Sequence, residues 1–127
     1  MILRGNVNSD LEPRLNLRLR GQDGLVYVVD ALVDTGYSGE ISLPVSVAKQ
    51  LGSVQGLGGR IVLADGTSIT YDSYNVDFEW LGSHRRVTAS AMGDDVVIGM
   101  NLLSGHALMI EATVGGAVTI VPLMNAL

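Results

Sequence analysis

Residues 14–20, Arg-Leu-Asn-Leu-Arg-Leu-Arg, alternate polar and apolar side chains without a break. A two-residue repeat belongs to a strand with one face buried and the other in water. Gln22, Asp23 and Gly24 follow as a turn, with Gly24 free to take positive φ. Residues 25–33 then run mostly apolar, which predicts a strand covered on both faces. The two strands form a hairpin, and the second one leads straight into Asp34.

The same punctuation continues down the chain. Residues 40–43 read as a short strand. Pro44 to Leu51 reads as a short helix, with Pro44 at its first position and Gly52 at its end. Gly56 to Gly59 is a flexible connection between that helix and a strand over residues 60–64. Asp65-Gly66 turns the chain into a long strand over 68–81, in which Val76, Phe78 and Trp80 alternate with Asn75, Asp77 and Glu79. Gly82-Ser83 turns it again into a strand over 84–91. Val96 to Gly99 is a short buried strand, Met100 to Leu103 a helical turn, and Ala107 to Ala112 pairs with Ala117 to Val121 around Gly115-Gly116. The sum is one all-β domain over residues 1–127, with about nine or ten short strands closed into a barrel or sandwich, and one or two short helices.

Composition removes several classes of function. With 47% hydrophobic and 17% charged residues, the chain can fill a core and is not disordered. Its net charge is −5, and its eight basic residues are dispersed. Arg14, Arg18 and Arg20 lie on the polar face of one strand and read as solvent-facing charge, so nucleic acid is not an expected partner. There is no cysteine, which excludes disulfides and thiolate metal sites and fits a reducing, cytoplasmic setting. The first residues lack a signal-peptide core, and the longest apolar stretch, 96–110, is interrupted and too short to span a bilayer. A membrane is therefore not an expected partner either, and the high apolar content points instead to a buried subunit interface. The methionines are scattered and read as core filler.

Asp34-Thr35-Gly36 is the segment with chemistry in it. It sets a carboxylate just past an apolar strand, beside a hydroxyl that can donate and accept, and beside a glycine that permits a tight turn. Taken alone, such a triplet is an ordinary turn with a capping Asp. Other constellations are weaker. Gly36-Tyr37-Ser38-Gly39 misses the serine-hydrolase elbow. His84 and His106 lack metal-ligand spacing and read as surface or hairpin residues. Asp94-Asp95 reads as a solvated turn, and Gly56 to Ile61 fails as a dinucleotide fingerprint. No metal or cofactor is expected.

Three features together resemble the retropepsin-like aspartic proteases, the retroviral proteases and their small bacterial relatives. They are Leu32-Val33-Asp34-Thr35-Gly36, the hairpin Leu63-Ala64-Asp65-Gly66-Thr67 at the place of that family's flap, and Val97-Ile98-Gly99 before a short helix. Their order and spacing match over nearly the whole chain. Two departures stand out. Retroviral enzymes carry acidic residues soon after the triplet and an Arg after the later Gly, whereas this chain has Ser38, Gly39 and Met100. The Asp65-Gly66 turn is also less glycine-rich than a retroviral flap.

The resemblance implies a retropepsin-like barrel in a homodimer, with the active site on the two-fold axis and the terminal strands of both subunits interleaved. It implies peptide hydrolysis, with catalytic roles for Asp34, Thr35 and Gly36 and substrate contact from the flap residues Ala64, Asp65 and Gly66. Hydrolysis without a metal needs a general base for water and a general acid for the leaving group, and two carboxyls sharing a proton supply both. The chain holds one such triplet, so a second copy must bring the other Asp34. Fold alone does not carry function, and the competing reading is an interaction or scaffold module of the same fold without proteolytic activity. A generic small-ligand barrel leaves the three-part pattern unexplained.

Overall fold

A computed structural model of the chain describes residues 1–53 and 55–124. Ten strands form one continuous sheet: β1 (Leu3–Val7), β2 (Pro13–Arg20), β3 (Val26–Val33), β4 (Ile41–Leu43), β5 (Gly59–Val62), β6 (Ser68–Trp80), β7 (Ser83–Ala91), β8 (Val96–Ile98), β9 (His106–Ile110) and β10 (Ala117–Pro122). Two short helices, α1 (Val45–Leu51) and α2 (Met100–Leu103), interrupt them. The strand order is β5-β6-β7-β4-β8-β3-β2-β1-β10-β9, and β6 also pairs with β2. That extra pairing closes β6, β7, β4, β8, β3 and β2 into a six-stranded barrel, with a hairpin arm on one side and a three-stranded extension on the other.

Alternation builds the barrel wall. Leu15, Leu17 and Leu19 of β2 point inward at 3%, 1% and 0% exposure, and Val76, Phe78 and Trp80 of β6 do the same at 1%, 0% and 3%. Where the two strands meet, Leu19 stands opposite Phe78. Burying each large side chain of this kind contributes about 1.5–3 kcal/mol, so the two alternating strands supply much of the barrel's cohesion. β2 divides its outer edge between two partners, with Pro13 to Leu15 pairing β1 and Arg18 to Arg20 pairing β6. The hairpin joining β6 to β7 turns at Leu81 and Gly82, both at positive φ, the backbone that suits right-twisted strands.

Several expectations need correction. β3 is not covered on both faces: Leu25, Val26 and Val28 are 61%, 37% and 55% exposed, because no layer packs over its first half. β1 is an additional strand. Gly5 in its middle leaves a weak pattern in sequence, yet a Cβ there would run into the carbonyl of Arg14 on β2. Pro44 caps α1 with extended ψ rather than starting it, and Gly52 ends it at φ 67°. The methionines are not core filler. Met1, Met100, Met109 and Met124 are exposed, and Met92 is half-buried. Within one chain, β10 has β1 on one side and β9 on the other.

The barrel positions one loop in particular. β8 runs parallel to β3 and antiparallel to β4, and it lies between them. The chain leaving β3 must therefore cross the end of β8 to reach β4. Residues 34–40 make that crossing.

Candidate active site

Asp34 follows the last residue of β3, and its main-chain N–H donates to the carbonyl of Ile98, the last residue of β8, at 2.9 Å. The N–H of Tyr37 donates to the Asp34 carbonyl at 3.1 Å, which closes the turn. The Asp34 Oδ1 accepts from the N–H of Gly36 at 2.8 Å. Asp34, Thr35 and Gly36 are all exposed, and the Thr35 hydroxyl has no partner among the described residues. The triplet thus holds a carboxylate in a fixed orientation with its second oxygen open to solvent.

The far side of the loop is tied down by main chain. Gly99 N–H donates to Glu40 O at 2.9 Å, Met100 N–H to Tyr37 O at 2.8 Å, and Asn101 N–H to Gly39 O at 3.1 Å. Gly99 cannot carry a side chain there. A Cβ would run into the Gly39 carbonyl and lie 2.6 Å from the Tyr37 ring. Its φ of −106° is open to any residue, so the demand for glycine is one of space alone. Main chain at the start of α2 and the residue before it makes the whole of this link to the loop.

A cavity of about 390 Å³ opens beside Asp34, lined with Tyr37, Ser42, Met92, Gly93, Asp94, Asp95 and Val97. Sequence reading missed this wall. Val97 belongs to a motif already singled out, but the 92–95 turn reaches Asp34 only because β8, which follows it, lies against β3. Asp95 is not a free solvated charge. Arg14, 14% exposed, donates to it at 2.8 Å, to Asp30 at 2.7 Å and to Glu12 at 3.0 Å. The bond to Asp95, then that to Asp30, holds the guanidinium above its ordinary value despite partial burial. Arg14 is thereby corrected from a solvent-facing charge to the centre of a cluster that braces the 92–95 turn. His106 lies on the β9–β10 hairpin, as expected, and is half-buried. Its Nε2 accepts from the Trp80 indole N–H at 3.1 Å, and its Nδ1 faces the Ser104 carbonyl at 2.9 Å.

The predicted flap is a well-formed hairpin of β5 and β6. Gly66 N–H donates to Leu63 O at 2.9 Å and Leu63 N–H to Thr67 O at 2.7 Å, with Gly66 at φ 87°. Asp65 Oδ1 accepts from the Thr67 N–H at 2.9 Å and the Thr67 hydroxyl at 2.6 Å. The hydroxyl first, then the N–H, keeps the Asp65 carboxyl below its usual range. Ala64, Asp65 and Gly66 are exposed, as are Val62, Leu63 and Ile69. None of them lines the cavity at Asp34. Among the described residues no group of three His, Asp or Glu side chains could hold a metal, and no helix is long and apolar enough to cross a membrane.

Comparison with solved structures places the architecture. The chain is similar to a retropepsin-like aspartic protease from Rickettsia conorii, with a TM-score of 0.56 and 16% identity over 94% of this chain and 89% of that one. No family model matches the sequence, and no curated protein does.

Proposed function

We propose that this chain is one half of an aspartic endopeptidase, in which two copies each contribute Asp34. The fold is that of the retropepsin-like proteases. The observation that carries the reading is the Asp34 carboxylate. It stands exposed at the end of a barrel strand, oriented by Gly36 N–H and anchored through Ile98, with a partly apolar cavity beside it.

One carboxylate cannot both take a proton from water and give one to a leaving amine in the same step. Two carboxyls about 3 Å apart cannot both ionise, so they hold one proton between them and divide the two roles. The unprotonated one accepts a proton from water as it attacks the peptide carbonyl, and the protonated one donates toward the substrate. The Tyr37, Met92 and Val97 side of the cavity offers an apolar wall for a substrate side chain. The exposed Val62, Leu63 and Ile69 of the hairpin arm gain a cover if a peptide lies beneath it.

Digestion of a peptide library by the wild-type chain and by Asp34→Asn tests the reading. Cleavage is expected from the first and not from the second, with both folded by circular dichroism. Equal cleavage by both would remove Asp34 from the chemistry. Absence of cleavage by either, with dimers present, would favour a non-proteolytic interaction module.

A further inference from the structure

The cavity beside Asp34 carries charge of one sign. Asp34, Asp94 and Asp95 line it, and among the described residues no Lys, Arg or His does. Asp95 accepts from Arg14 at 2.8 Å, whereas Asp94 is exposed and joins no ion pair among the described residues. We infer that this cavity receives a lysine or arginine side chain of the substrate, with Asp94 as the residue that selects it. This rests on the proteolytic reading above and adds the class of peptide that is cut.

Local structure gives the two neighbouring acids different tasks. Residues 92–95 turn the chain from β7 into β8, with Gly93 at φ 75°. Arg14 spreads one guanidinium over Glu12, Asp30 and Asp95, which ties the end of the turn to β2 and β3. One cation against three carboxylates leaves that cluster negative, so nothing in it offsets the charge of Asp94. The catalytic pair adds to the same sign, because two carboxyls that share one proton keep one negative charge. A cleft lined by one sign of charge concentrates groups of the other sign.

The rest of the cavity suits a long side chain with a charged end. Tyr37, Met92 and Val97 offer apolar surface to an aliphatic stem, the part of Lys and Arg that packs while the head stays polar. Ser42 also lines the cavity and is only 6% exposed. Its hydroxyl donates to the Met92 carbonyl at 3.4 Å and keeps lone pairs that can accept from an ammonium or guanidinium. A neutral side chain of the same length would cover the wall and leave Asp94 unpaired. A Glu side chain would face carboxylates alone. Each copy in the catalytic pair brings the same cavity, so the preference applies to the residue on either side of the scissile bond.

Peptides that differ only in carrying Lys, norleucine or Glu beside the cut bond measure the preference as a ratio of kcat/KM values. Norleucine keeps the stem of lysine and removes its charge. For the wild type the Lys-to-norleucine ratio is expected at roughly fivefold at low salt, the scale of one partly exposed ion pair. It should shrink toward one in high salt, where exposed charges are screened. Asp94→Asn should remove most of the ratio, and Asp94→Lys should turn the preference toward Glu. Asp94 is exposed on a turn, so neither change disturbs the core. A wild type that cuts the Lys and norleucine peptides equally would overturn the inference and leave the proteolytic reading standing. A Lys preference that survives undiminished in Asp94→Asn would do the same. A wild type that cuts nothing in a peptide library would overturn both.

Discussion

The main-chain N–H of Asp34 donates to the carbonyl of Ile98, and the residue after Ile98 has no room for a side chain. These two facts describe one joint. The carboxylate is placed by strand β8, and the loop that carries it folds back over Gly99 closely enough to touch its backbone.

Gly99→Ala should therefore damage the site through packing, not through backbone strain. The added methyl would force the Gly39 carbonyl and Tyr37 ring to move. Overpacking of this kind costs about 1–3 kcal/mol, to be read from urea unfolding. Peptide cleavage should fall further than the lost stability explains, because the displaced groups belong to the loop of Asp34. A variant with wild-type stability and activity would show that the joint is loose.

Most of the barrel was legible in the sequence because its strands alternate. The 14–20 and 74–80 segments each bury one face, and a two-residue period leaves no other assignment. The Asp34 triplet and Val97-Ile98-Gly99 were legible as local motifs, and the structure joins them in one hydrogen-bonded unit. What was not legible depends on contacts distant in sequence. β1 is short and centred on Gly5, and its place is set by strands ten and more than a hundred residues away. The apolar run at 25–28 looks the same whether a layer covers it or not. Arg14 alternates like an exposed residue, and only the approach of Asp95, 81 positions later, makes it a cluster centre. The methionines read as filler because size and hydropathy do not tell a core position from an exposed one.

Acid stability offers a test away from the active site. Arg86 donates to Asp77 through Nε at 2.7 Å and Nη2 at 3.0 Å across the β6–β7 pair. Arg86 first, with burial opposing it, holds the Asp77 carboxyl below its ordinary value of 3.8. A carboxyl lowered in the folded state releases its proton more readily there than when unfolded. Its contribution is present above about 3.8 and is lost as the pH falls from there through the folded value. Wild type should lose stability faster than Asp77→Asn over that acidic interval, and the two should run parallel above it. Parallel curves throughout would mean that the pair does not contribute.

Thr35 should matter to the dimer more than to the subunit. Its hydroxyl is exposed and has no partner within the described chain. In the retropepsin-like proteases that the sequence resembles, the threonines beside the two aspartates bond across the axis. A hydroxyl buried there without a partner would cost about 1–3 kcal/mol, and one substitution removes both copies. Thr35→Ala should raise the dimer dissociation constant and lower activity, with added protein restoring part of it. Thr35→Ser should be much milder. Equal behaviour of the two, with unchanged sedimentation, would reduce Thr35 to a turn residue.

The hairpin arm supplies the last test. Its tip is held by two bonds into Asp65 and by Gly66 at φ 87°, a backbone conformation that a β-branched residue adopts at a cost of about 1–3 kcal/mol. The arm does not line the cavity at Asp34, so any role in hydrolysis comes through contact with bound peptide. Gly66→Val strains the tip without touching the barrel, as the space around Gly66 is open. Turnover should fall several-fold while thermal unfolding of the barrel shifts by only a few degrees. Asp65→Ala, which frees the Thr67 hydroxyl and N–H but keeps Gly66, should loosen the tip and weaken substrate binding more than it slows turnover. If both variants cleave peptides at the wild-type rate and with the wild-type KM, the arm is an ordinary exposed hairpin and the cavity wall at Tyr37, Met92 and Val97 must hold the substrate by itself.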